Sequence, residues 1–72
     1  MRNRFDTQLE QLNNELIGMG ALIERSIESA VTAITEQSAE QAKKAILFDN
    51  EIDEKERQIE SLCLKLLLQR CV

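Results

Sequence analysis

The chain has no proline, histidine, tryptophan or tyrosine, and only two glycines, two cysteines and two phenylalanines in 72 residues. The lack of histidine excludes the usual zinc sets, and Cys63 and Cys71 match no zinc spacing. Those two cysteines fall on one expected helix with seven residues between them. A disulfide needs Cα atoms within about 7 Å, so they are expected as buried or half-buried thiols in a reducing compartment. No Gly-rich loop and no nucleophile–base pair is present, so no enzyme is expected. The longest apolar run, Leu66 to Leu68, is far too short to span a bilayer, and no signal peptide is expected, which places the protein in the cytoplasm. Basic charge is also scarce. Nine Lys and Arg face thirteen Asp and Glu, for a net charge of −4. The basic residues gather only as Arg2 and Arg4, too few for a nucleic-acid footprint.

What is abundant is Leu, Ile, Ala, Glu, Gln and Lys, the residues that lose least on entering a helix. Met1 to Arg4 reads as a frayed basic end. From there, Phe5, Leu9, Leu12, Leu16, Met19, Ile23, Ile27, Ala30 and Ile34 follow one another by three or four residues, the period of an amphipathic helix over 5–36. Gly18 and Gly20 interrupt it, either as a mild kink or as a place where another helix comes close. Ser38 followed by Gln41 matches a capping box, so a turn at 37–38 leads into a second helix over 39–69. A connection this short makes the helices antiparallel neighbours. The fold expected is therefore all-α: a two-helix hairpin in which Leu9, Leu12, Leu16, Ile23 and Ile27 face Ala45, Ile52, Ile59, Leu62 and Leu66. A chain of this size buries only about 60% of its unfolded surface, so a second copy is expected to complete a helical bundle, a homodimer of four helices.

The second helix carries the one stretch that departs from plain helix-forming sequence, Asp49 to Glu56. Asp49 and Asp53 stack one turn apart, with Glu56 on the next turn. Carboxylates at this spacing repel by a few tenths of a kcal/mol unless a cation answers them. That cation could be a divalent metal, a partner's basic residue, or the neighbours Lys55 and Arg57. Glu40–Lys44, Glu51–Lys55 and Asp53–Arg57 all have the favourable four-residue spacing.

Several separated blocks carry a family resemblance: residues 1–6 (MRNRFD), 9–16 (LEQLNNEL), 19–24 (MGALIE), 48–53 (FDNEID) and 59–63 (IESLC). Together they resemble the opening of the PhoU family, the phosphate-transport accessory and regulatory proteins of bacteria. The resemblance implies tandem three-helix bundles, of which this chain would hold the first two helices of the first. It implies a D-x-x-x-D element at Asp49 and Asp53 that helps hold iron, manganese or magnesium. It also implies negative regulation of phosphate uptake and starvation signalling, through contacts with the phosphate transporter ATPase and the phosphate sensor kinase. The third helix and its E-x-x-x-D element lie outside this sequence, and a truncated PhoU is the expectation. Two other roles stay open: a non-signalling hairpin that assembles with itself, and a weak carboxylate metal-binding bundle. The latter lacks the Glu-x-x-His that di-metal carboxylate bundles use.

Overall fold

A computed structural model describes residues 3–71 and the side chains of 3–70. It contains two α-helices of 33 residues each, α1 (Arg4–Glu36) and α2 (Ala39–Cys71), packed against each other as a hairpin. Each helix should be about 50 Å long at 1.5 Å per residue. The Cα atoms accordingly fill a slab of 53 × 20 × 12 Å, one helix layer thick.

The amino end is organised further than a frayed end would be. Asn3 caps α1: its Oδ1 accepts from the Asp6 amide at 2.9 Å, and its carbonyl accepts from the Thr7 amide at 3.2 Å. Asp6 then places a negative charge in the first turn, where the helix dipole favours it. Met1 and Arg2 lie outside the described residues.

At the hairpin bend, Gln37 adopts a left-handed conformation (φ 52°, ψ 44°), and the amides of Gln37 and Ser38 both donate to the Ala33 carbonyl. This is a Schellman-like close on a non-glycine residue. Ser38 at once begins α2, its Oγ accepting from the Gln41 amide at 3.2 Å. The expected capping box is therefore half made. The Ser38 amide, which the Gln41 side chain would have held, is taken by the end of α1. A two-residue bend leaves one N–H to serve two helices.

The packed seam is more regular than the apolar pattern. On α1 the partly covered positions include 5, 8, 12, 15, 19, 22, 26, 29 and 33; on α2 they include 41, 45, 48, 52, 55, 59, 62 and 66. With Gly18, Ala30, Thr32 and Cys63 also partly covered at its margins, the seam is traced by alternating steps of three and four on both helices. That 3.5-residue period is the one that keeps a seam facing its partner in a coiled coil. All five residues expected to face inward from α2 do so, and Ile59, Leu62 and Leu66 are the buried core. From α1, however, only Leu12 of the expected five turns inward. Leu9, Leu16, Ile23 and Ile27 are exposed. In their place the seam uses Gln8, Glu15, Ser26 and Ser29 alongside Phe5, Met19 and Leu22. The average 3.6 period located a stripe lying between two neighbours, and only half of it can face one of them.

Polar seam residues find partners across the hairpin. Lys55 Nζ lies 2.6 Å from Glu15 Oε2, and Gln69 Nε2 donates to Gln8 Oε1 at 2.5 Å. The Arg70 guanidinium lies over the Phe5 ring at 4.8 Å from its centre. Lys55 thus pairs with α1 rather than with Glu51. Gly18 and Gly20 sit in continuous helix, and a Cβ on either would meet nothing within 4 Å. Among the described residues, then, no second helix approaches there.

Candidate functional site

Each seam position on α2 is followed by a residue about 100° further round the helix. These form a second row: Ala42, Ile46, Asp49, Asp53, Glu56, Glu60, Cys63, Leu67 and Arg70. The matching row on α1 is Asp6, Leu9, Asn13, Leu16, Gly20, Ile23, Ile27, Ala30 and Ile34. The two rows lie on the same broad side of the slab: Phe5, Leu9 and Leu12 line one apolar groove with Cys63, Leu66, Leu67 and Arg70. The opposite side is different in kind. There Gln8, Gln11 and Glu15 line a polar groove with Arg57, Gln58, Ser61, Leu62 and Lys65.

This arrangement places the residues expected to carry function. Asp49, Asp53 and Glu56 are exposed, and the carboxylate row continues to Glu60, beyond the stretch 49–56 that stood out in the sequence. The signal for Glu60 was its position one residue after the seam residue Ile59. The cations expected to relieve the row are elsewhere. Lys55 is in the seam with Glu15, Arg57 lines the polar groove on the far side, and among the described residues no salt bridge joins Arg57 to Asp53. Arg70 is in the row itself but lies over Phe5 at the open end.

As metal ligands, Asp49 and Asp53 have the right chemistry and the wrong number. Hard divalent cations want six or more oxygens. Among the described residues no three His, Cys, Asp or Glu side chains are grouped to hold an ion. The two carboxylates alone fit only part of a coordination sphere. Cys63 is a free, half-buried thiol on the apolar side; the Cys71 side chain lies outside the described residues. Among the described residues no helix is long and apolar enough to cross a membrane.

A long amphipathic hairpin with one unpartnered apolar side is a bundle component, a class defined by what it packs against. Comparison with known proteins supplies the particular family. The PhoU domain family model matches residues 16–71, and the chain belongs to the PhoU family. It is 33% identical over 67 residues to the phosphate-specific transport system accessory protein PhoU homolog of Pseudomonas putida, covering 93% of this chain and 26% of that protein. Against the homolog of Pseudomonas aeruginosa the identity is 30%, and against PhoU of Escherichia coli 27%, each covering 93% of this chain and 28% of the relative. The chain thus spans little more than a quarter of the length of these relatives. No solved structure matches it significantly. The resemblance read from the separated sequence blocks is borne out.

Proposed function

We propose that this chain acts as a PhoU-type accessory regulator of phosphate uptake and phosphate-starvation signalling, through contacts between helices rather than through catalysis. The observation that carries the reading is the PhoU domain match over residues 16–71, in a chain whose relatives are named phosphate transport accessory proteins. The partners in this reading are the phosphate transporter ATPase and the phosphate sensor kinase, met in the cytoplasm. Asp49 and Asp53 would supply two oxygens to a divalent metal only if another helix or water furnished the rest.

The test is genetic. The chain is expressed in a bacterium whose own PhoU gene is deleted, with a reporter driven by a phosphate-starvation promoter. Reporter output at high phosphate should fall toward the level of the undeleted strain. Unchanged output, with the chain present on an immunoblot, sinks the reading.

One observation favours a second reading, a non-signalling bundle of two copies. The buried core is three residues, while twelve large apolar residues are exposed among the described ones. Sedimentation across a concentration series separates a dimer from a monomer.

A further inference from the structure

The polar groove, on the side away from the apolar and acid rows, is built by both helices. From α2 it takes Arg57, Ser61 and Lys65, which follow one another at steps of four. Each lies about 6 Å further along the helix than the last, so Ser61 stands between two cations one turn away on either side. Among the described residues neither cation is answered: no salt bridge, hydrogen bond or ring contact involves Arg57 or Lys65. In a chain of net charge −4, the groove holds a local excess of positive charge.

The neutral members of the groove add donors. Ser61 brings a hydroxyl, and Gln11 and Gln58 bring side-chain amides. Gln8 accepts from Gln69 through Oε1, which leaves its own amide hydrogens to donate. The one carboxylate in the groove is Glu15, and Lys55 already holds its Oε2 at 2.6 Å. Glu51 and Glu54 belong to an adjoining groove with Leu22, Lys55 and Gln58. Two cations flanking a hydroxyl and several amides ask for an anion with more oxygens than a carboxylate has. A tetrahedral oxyanion offers four, and Arg and Lys are its usual partners. Glu15 narrows the choice further. A carboxylate accepts through both oxygens, so a ligand that keeps an O–H can donate to it, while one with lone pairs alone is repelled. Slightly above neutral pH free phosphate keeps one proton. Sulfate has none, and a phosphate monoester, with a second pKa of about 6, has lost its last.

We propose that this groove is a binding site for hydrogen phosphate. Arg57 and Lys65 supply the charge, Ser61 and Gln11 hold oxygens from the two helices, and Glu15 accepts the remaining proton. Binding therefore ties α1 to α2 at the groove. The proposal goes beyond the regulatory reading and does not depend on it, since binding is read with neither transporter nor kinase present.

The test titrates the full ¹⁵N-labelled chain with inorganic phosphate at constant ionic strength, slightly above neutral pH, and follows the amide resonances by NMR. Sulfate and glycerol 3-phosphate are titrated in parallel. Phosphate should give saturable shifts centred on Gln11, Gln58 and Ser61, and should bind about tenfold more tightly than either of the other two. Removing the groove cations (Arg57→Gln with Lys65→Gln) should weaken phosphate by about tenfold or more. Removing two other cations from the same side (Arg25→Gln with Lys44→Gln) changes the net charge equally and should leave it within about twofold. Glu15→Gln should bring phosphate and sulfate to about equal affinity. All the substituted cations are exposed, and circular dichroism checks that every variant stays helical. The proposal is overturned if no saturable shift appears in the groove, if sulfate or the monoester binds as tightly as phosphate, or if the two double variants respond alike. A failure here removes the site, while the genetic test still decides the regulatory reading.

Discussion

The two broad sides of the hairpin share one seam and differ in almost everything else. On one side α1 offers Leu9, Leu16, Ile23, Ile27 and Ile34, and α2 offers four carboxylates. On the other, α1 offers Arg4, Thr7, Gln11, Asn14, Ala21, Arg25 and Glu28, and α2 offers mixed charges with Leu47 as a large exposed apolar residue. A hairpin meant to stand alone in water would have no reason for this asymmetry. Exposed apolar groups scattered singly are ordinary, but large apolar residues recurring along one side of a seam mark a surface that another element covers. The difference assigns two jobs to one helix: α1 holds α2 with one row of residues and presents the next row outward.

Three changes would break or sharpen that contrast. The largest effect belongs to the seam, on which both sides depend. Leu66→Ala removes a third of the buried core and should cost about 2–5 kcal/mol. In a hairpin this thin that is expected to abolish the cooperative thermal melt followed by circular dichroism. A melt that survives with its midpoint nearly unchanged would mean that the stabilising contacts lie elsewhere, on the apolar side.

The two glycines offer a finer probe, because Gly20 lies in the apolar row and Gly18 on the polar side. In the hairpin alone neither Cβ would touch anything, so Gly18→Ala and Gly20→Ala should each stabilise it by about 0.8–1 kcal/mol through helix propensity. Gly20→Ala alone should weaken self-association in the sedimentation series, since Gly18 lies away from the apolar row. Equal behaviour of the two variants in sedimentation would erase the distinction between the sides.

The smallest effect concerns the ion pair that stitches the seam. Glu15 and Lys55 are each about one-third exposed, at 27% and 32%. A double-mutant cycle with Glu15→Gln and Lys55→Met should return a coupling of about 0.5–1 kcal/mol, diminished by salt. A coupling of zero would mean that the pair fixes neither register nor stability.

Much of the fold was legible before any coordinates. Helix-favouring composition, the recurrence of apolar residues at three or four, and Ser38 ahead of Gln41 pointed to two antiparallel helices with a short bend. The inward face of α2 could be read directly, since Ile52, Ile59, Leu62 and Leu66 are apolar and most of their flanking residues are charged or polar. The acid pair Asp49 and Asp53 was legible as a pattern too. The α1 side of the seam was not. An apolar stripe on a helix gives the centre of its buried surface but not how many neighbours share that surface. Glu15 and Gln8 turn inward only because Lys55 and Gln69 happen to stand across from them.

The sequence by itself determined local matters: which stretches are helical, where the bend falls, the PhoU kinship, and the order of carboxylates along α2. Those depend on residues close together in the chain, through propensity, capping and spacing. The tertiary structure alone decided which rows became seam and which became surface. It took Lys55 away from Glu51 and the Ser38 amide away from Gln41. It also put the apolar row of α1 on the same side as the acid row of α2. Residues far apart in the chain come to share a surface only when two helices choose a register, and that choice is made by packing across the seam.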